Sequence, residues 1–165
     1  MLQKTHSAAG LVAAECVLMY YHMPVFSWES AAGLMIGCIA GPLADVDKKG
    51  STMAKVLFPL SAVLRVLKVK HRTMTHSLLF MAAMFALSIS LPEPLFWCFM
   101  LAYASHPLID LLNEQGVELL WPLPIKFRLL PKFLAVDTGS EMETAIRYLL
   151  SILSVVLPVR YYLHM

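Results

Sequence analysis

The stretch Leu95–Leu112, LFWCFMLAYASHPLIDLL, is a long apolar run with a polar end that contains His106 and Asp110. Its length approaches the roughly 20 apolar residues that a helix needs to cross the hydrocarbon core of a bilayer. Ionisable side chains beside such a run are costly in lipid and usually serve a function. The stretch therefore predicts a membrane helix that carries chemistry at one end.

Four other apolar segments accompany this one: Ala8–Tyr21, Ser30–Ala44, Ser77–Leu91 and Tyr148–Leu163. The 165 residues are 59% hydrophobic and 15% charged, whereas soluble domains average about 45–50% apolar and about 25% charged residues. This composition argues against disorder and leaves a soluble all-helical protein as the weaker alternative. We expect one all-α membrane-embedded domain over residues 1–165, a polytopic protein with about four to five transmembrane helices.

The basic residues are distributed unevenly between the segments. The short connections 23–28 and 92–94 contain no Lys or Arg, whereas 48–72 contains seven basic residues and no acid. If the segments alternate in direction, 12 of the 13 basic residues lie on one side, with Arg160 as the exception. The positive-inside rule makes that side cytoplasmic. We expect an N-terminus inside, two tight hairpins outside and two long cytoplasmic loops.

Four polar clusters fall at the cytoplasmic ends of the predicted helices. They are Thr5–Ser7, Ala44–Asp47, His71–Ser77 and Ser105–Asp110. Four of the six histidines and three of the four aspartates therefore share one layer. Imidazole nitrogens and carboxylate oxygens suit zinc, manganese or iron(II). The candidate metal ligands are His6, Asp45, Asp47, His71, His76, His106 and Asp110.

The spacing within each cluster constrains which residues share an ion. His106 and Asp110, four residues apart, lie on one helical face. Pro107 removes a backbone hydrogen bond, which predicts a kink or restart that aims His106 inward. Asp45 and Asp47, two residues apart, share a face only if the backbone at the helix end is extended. Otherwise only one of them binds the metal. Taken singly, each residue has an ordinary alternative as a helix cap, an ion-pair partner or a solvated helix end.

Four motifs carry a resemblance to a known family. They are T-H-x-x-x-G at 5–10, L-A-D-V-D at 43–47, H-R-x-x-T-H-S at 71–77 and S-H-P-L-I-D-L-L-N-x-x-G-V at 105–117. Together they resemble the YdjM-type proteins, LexA-regulated inner-membrane proteins of bacteria and archaea regarded as metal-dependent hydrolases. The T-G-S-x-x-E at 138–143 is also similar. Ala44 departs from the proline that usually precedes the first aspartate.

The resemblance implies a multi-pass inner-membrane hydrolase with its active site facing the cytoplasm. The order of the ligands is also similar, more loosely, to the zinc-dependent phospholipase C and P1 nuclease group, which favours a phosphoester substrate. We expect about two divalent ions, zinc first, with manganese or iron as alternatives. Asp110 is the candidate bridging carboxylate, and Arg72 the candidate donor to a phosphate oxygen. A phospholipid or polyprenyl-phosphate substrate would suit a basic surface beside the lipid bilayer.

Two other functions compete with hydrolysis. A membrane protein that binds or transports a metal would also place histidines and carboxylates within a bundle, although usually near the bilayer midplane. A structural protein could use the metal only to hold its helices together. Nucleic-acid binding is discounted, because the basic loop already has a role in orienting the chain.

Overall fold

The computed structural model describes residues 1–163, which form helices joined by turns and loops, without a β-strand in that range. Its α-helices are α1 Gln3–Tyr20, α2 Trp28–Ala40, α3 Thr52–Val56, α4 Phe58–Val66, α5 Leu78–Ser88, α6 Glu93–Asp110 and α7 Glu141–Leu163. Short 3-10 helices cover Leu43–Asp47, Met74–His76 and Lys132–Leu134. The all-α prediction is confirmed.

Local sequence signals define where several helices begin. Ser27, Ser51 and Ser77 each accept a hydrogen bond from a backbone N–H in the first turn of the following helix. This satisfies one of the four N–H groups that a helix start leaves unpaired. Ser140 does the same for α7, by accepting from the N–H of Glu143 at 3.2 Å.

Helix α1 lies at the centre and packs against α2, α6 and α7. Its contact with α2 is close, because a Cβ atom added at Gly10 would lie 2.3 Å from the carbonyl oxygen of Gly37. One added at Gly37 would lie 2.6 Å from the Cβ of Ala14. Glycines spaced by four, here Gly33, Gly37 and Gly41, let helix backbones approach in this way within membranes.

The number of membrane spans is not confirmed. Among residues 1–163, α7 alone is long and apolar enough to cross a membrane by length and composition. Helices α2 and α5 are apolar but shorter, with 13 and 11 residues. Helices α1 and α6 have 18 residues each but include the polar side chains of the predicted metal layer. Most of α7 is exposed, as expected for a helix that faces lipid.

The end of the bundle that holds the polar clusters is closed by a folded connection between α6 and α7. Backbone hydrogen bonds pair Val117 with Phe127 in both directions, at 3.0 and 2.8 Å. The amide of Asn113 donates to the carbonyl of Val136 at 2.7 Å. The connection is thereby fixed against the last turn of α6, beside Asp110.

Candidate metal centre

The four polar clusters meet at one end of the bundle. The start of α1 contributes His6, and the 3-10 helix after α2 contributes Asp45 and Asp47. The turn before α5 contributes His71 and His76. The last turn of α6 contributes His106 and Asp110. These side chains are buried, apart from His71, whose side chain is 26% exposed. The cluster therefore has one accessible edge, at His71.

Three sets of residues bring their ligand atoms within 4.8 Å of one another. They are His6–Asp45–His106, Asp45–His71–His76 and His76–His106–Asp110. Asp45, His76 and His106 each belong to two sets, so the three sets form one continuous cluster. Six of the seven residues predicted as ligands are members, and Asp47 is not.

Asp110 lies at the point where the most groups converge. Its Oδ1 accepts from the α-amino group of Met1 at 2.7 Å and lies 3.4 Å from the Nε2 of His6. Its Oδ2 lies 3.7 Å from the Nε2 of His76 and 3.9 Å from that of His106. A carboxylate this deeply buried needs positive charge close by.

The histidines are held by their outer nitrogens. The Nδ1 of His106 lies 2.7 Å from the carbonyl oxygen of Gly41, which can only accept, so Nδ1 carries the proton. The Nδ1 of His71 lies 2.8 Å from the Oδ1 of Asp47 in the same arrangement. In both rings the Nε2 lone pair is then left free toward the cluster.

His76 is oriented through a relay. Thr75 donates its hydroxyl proton to the Oδ2 of Asp47 at 2.6 Å, and the same hydroxyl accepts from the Nδ1 of His76 at 3.0 Å. Burial, reinforced by the neighbouring His106, holds the pKa of His76 well below its usual value. The ring is therefore neutral at pH 7, the form that binds metals. Asp47 thus orients two histidines, a role given to outer carboxylates at metal sites.

Several buried atoms at the centre have no hydrogen-bond partner within residues 1–163. They include the Nε2 atoms of His6, His76 and His106 and the Oδ2 of Asp110, which forms an ion pair with Arg72 but accepts no hydrogen bond of normal geometry. Buried polar atoms are otherwise almost always satisfied. The rings of His6 and His106 are stacked with centroids 3.6 Å apart. Imidazole nitrogens and a carboxylate oxygen that converge on one point without hydrogen-bond partners are suitable ligand atoms for a divalent metal.

Arg72 faces the centre rather than the surface. Its Nε lies 3.0 Å from the Oδ2 of Asp110, and its guanidinium also donates to the side-chain oxygens of Asn113 and Gln115. The side chain is 6% exposed. Arg72 therefore balances the charge of Asp110 and connects the cluster to the folded connection after α6.

Sequence reasoning missed some residues of the site. No sequence motif marks Met1, whose α-amino group contacts Asp110. Thr75, which orients His76, belongs to the motif at 71–77, and Gly41, which orients His106, lies just before the motif at 43–47, but neither side chain is one that signals a metal ligand. Glu143, the last residue of the T-G-S-x-x-E motif, accepts from the hydroxyl of Thr5 at 2.8 Å and from the backbone N–H groups of Leu2 and Gly139. It fastens α7 to the start of α1.

Helix α6 continues through Pro107 to Asp110, so the expected restart at this proline does not occur. His106 is fully buried nevertheless. Since α6 is unbroken here, the direction of the ring is set by its hydrogen bond to the carbonyl of Gly41, at the end of the neighbouring helix.

Comparison with known proteins places the chain. A family model described as YdjM inner membrane protein matches residues 1–164. The chain belongs to this family. It is 32% identical over 145 residues to YvsG of Bacillus subtilis (strain 168), covering 86% of this chain and 85% of the relative. It is 32% identical over 138 residues to inner membrane protein YdjM of Escherichia coli (strain K12), covering 79% of this chain and 67% of the relative.

The same identity and coverage apply to inner membrane protein YdjM of Shigella flexneri. No solved structure matches the chain. The resemblance drawn from the four motifs is thus confirmed at the level of the family, and the chain is a membrane protein of the YdjM type. The names of the two YdjM relatives state a membrane location, and none of the three names states an activity.

Proposed function

We propose that this chain is a membrane-bound, metal-dependent hydrolase whose substrate contains a phosphoester. The observation that carries the proposal is the group of buried, unpartnered Nε2 atoms of His6, His76 and His106 beside the Oδ2 of Asp110. A protein that only stabilised its fold would gain by satisfying these atoms or replacing them with apolar groups. Their retention in a cluster whose accessible edge is His71 favours a site for a metal and a substrate.

The residues divide into three roles in this proposal. His6, Asp45, His71, His76, His106 and Asp110 would hold the metal, with room for two neighbouring ions because the three sets overlap. Asp47, Thr75 and the carbonyl of Gly41 keep the rings in the binding tautomer. A bound divalent metal would supply a Lewis acid and lower the pKa of water toward about 7.

Arg72 and His71 contribute to the substrate side. Arg72 is the cation closest to Asp110 among the side chains, and its planar donors match phosphate oxygens. His71 forms the exposed edge through which a substrate would approach. The surrounding buried side chains exclude bulk water, which strengthens every electrostatic interaction inside the site.

In the membrane, we place the site end toward the cytoplasm, with α1, α2, α5, α6 and α7 crossing the bilayer. Support comes from the 12 of 13 basic residues that share the side of the polar clusters. Reporter enzymes that work only outside the cytoplasmic membrane, fused after Phe26 and after Lys49, test this arrangement. Activity of the fusion at Phe26 alone is expected, and activity at Lys49 would reverse the orientation.

The experiment that tests the function is elemental analysis of the detergent-purified protein, followed by phosphoester turnover. Wild type is compared with His106→Ala/Asp110→Ala and with His22→Ala/Asp137→Ala, which removes one histidine and one aspartate outside the cluster. We expect stoichiometric zinc, manganese or iron in wild type and in the control, lost in the first variant while its circular dichroism is unchanged.

Hydrolysis of mono- and diesters of phosphate should follow the metal content across these three proteins. No metal after reconstitution of wild type would contradict the proposal. Stoichiometric metal without turnover of any phosphoester or phospholipid would favour the alternative, a protein that binds or transports a metal without hydrolysis.

A further inference from the structure

A second polar cavity lies outside the candidate metal centre. It has a volume of about 370 Å³ and is lined by Glu114, Gln115, Lys126, Arg128 and Lys132. Three cations and one carboxylate leave it with an excess of two positive charges. Its volume is within the range of about 300–1,000 Å³ typical of small-molecule sites, and its lining is far more charged than theirs. Such a lining favours an anionic ligand.

The five side chains that line the cavity are exposed, and ordered backbone contacts hold the segments that carry them. Arg128 donates to the carbonyl oxygen of Glu114 at 3.2 Å. The stem of Arg128 packs on Gly116, where an added Cβ would lie 2.8 Å from the Cγ of Arg128. Gly116 also has a φ of +68°, which favours glycine. The Val117–Phe127 backbone pair fixes both sides of the cavity relative to each other.

The cavity shares a wall with the metal centre. Gln115 lines it and also accepts from the guanidinium of Arg72 at 3.4 Å, while Arg72 pairs with Asp110. A ligand in the cavity is therefore separated from the cluster by the side chains of Gln115 and Arg72.

The sequence around the cations indicates where the ligand comes from. Ile125, Leu129 and Phe133 adjoin Lys126, Arg128 and Lys132, and they are 48%, 64% and 84% exposed. Exposed aromatic and aliphatic groups between cations are typical of segments at the boundary between lipid and headgroups. A soluble anion would need no apolar side chains beside the cations. A lipid phosphate would bind the cations, while the acyl chains of the same lipid would contact the apolar side chains.

We infer that this cavity binds the phosphate group of an anionic phospholipid, held by Lys126, Arg128 and Lys132 beside the metal centre. Only the assignment of that lipid as a substrate or a positioning ligand depends on the proposed function. Binding itself does not, because no ligand of the cluster lines the cavity.

The test is binding of short-chain phosphatidylglycerol to the full-length protein in neutral detergent, without turnover, followed by tryptophan fluorescence or thermophoresis. Lys126→Gln/Arg128→Gln/Lys132→Gln is compared with wild type. The matched control is Lys4→Gln/Lys49→Gln/Lys55→Gln, which removes the same charge from exposed lysines that do not line the cavity. We expect the first variant to bind about tenfold or more weakly and the control to stay within about twofold of wild type.

Two further ligands identify the source of the phosphate. Short-chain phosphatidylcholine, which has no net charge, and inorganic phosphate should both bind at least about tenfold more weakly than phosphatidylglycerol. Equal binding of inorganic phosphate would overturn the lipid as ligand, and equal loss in both lysine variants would overturn the cavity as the site. His106→Ala should bind the lipid as wild type does. The lipid experiment can therefore succeed or fail independently of the proposed metal site.

Discussion

Asp47→Asn separates the two roles that this aspartate could have at the metal centre. Asp47 is fully buried, and its two oxygens accept from His71 at 2.8 Å and from Thr75 at 2.6 Å. The amide of asparagine has one acceptor oxygen and one donor group, so it can satisfy only one of these two donors. Either His71 or the relay to His76 then loses its partner.

The expected magnitude follows from that one lost bond. A hydrogen bond to a charged group contributes about 1.5–3 kcal/mol. If all of this free energy is lost from metal binding, because the histidine is no longer oriented, metal affinity falls about tenfold to about a hundredfold. This is the range found for outer carboxylates. Thr75→Val interrupts only the branch to His76 and should reduce affinity about tenfold. Asp137→Asn, at an exposed aspartate, should leave affinity unchanged.

The assay is competition for zinc between the detergent-purified protein and a chromophoric chelator, with circular dichroism to verify folding. Metal stoichiometry should stay at the wild-type value in Asp47→Asn, while affinity falls. Complete loss of one ion from folded Asp47→Asn, with Thr75→Val unaffected, would show that Asp47 is itself a ligand. An affinity within about twofold of wild type would show that the relay does not orient the histidines.

Three other predictions concern packing and metal removal. Gly37→Ala should lower the free energy of unfolding by about 1–3 kcal/mol, because its new Cβ would overlap Ala14; an unchanged midpoint in detergent would contradict the close packing. Glu143→Gln should weaken the attachment of α7 and increase the rate of proteolysis between residues 136 and 141. The control Glu141→Gln, at an exposed residue, should not change this rate. Removal of metal by a chelator should lower the thermal midpoint, and restored zinc should raise it again. The free energy of unfolding should rise by about 2.7 kcal/mol when free metal is a hundredfold above its Kd; equal midpoints would argue against any buried metal.

The sequence was sufficient to predict the helical class and the residues that come together. Apolar segments and the uneven distribution of Lys and Arg placed His6, Asp45, His76 and Asp110 in one layer, and the structure brings these side chains into one cluster. The reason is that chain direction alternates between neighbouring helices, so the ends that meet follow from the order of the segments alone.

The division of labour within the cluster could not be predicted from spacing. Asp45 and Asp47 are chemically identical in sequence, and the 3-10 helix Leu43–Asp47 turns one toward the histidine Nε2 atoms and the other toward an Nδ1. The contact of Met1 with Asp110 depends on how α1 begins. The number of membrane spans could not be predicted from the hydrophobic pattern either, because polar site residues occupy the ends of the same helices.

The central position of α1 and the late position of α6 have a consequence for assembly. Residues separated by about a hundred positions, His6 and Asp110, must meet before the cluster exists. During synthesis the Asp45–His71–His76 set is complete before α6 is made, whereas the two sets that contain His106 form only when α6 packs against α1. That packing closes a long loop, so it is a late step in folding. A chain interrupted before His106 would therefore enter the membrane without the complete cluster.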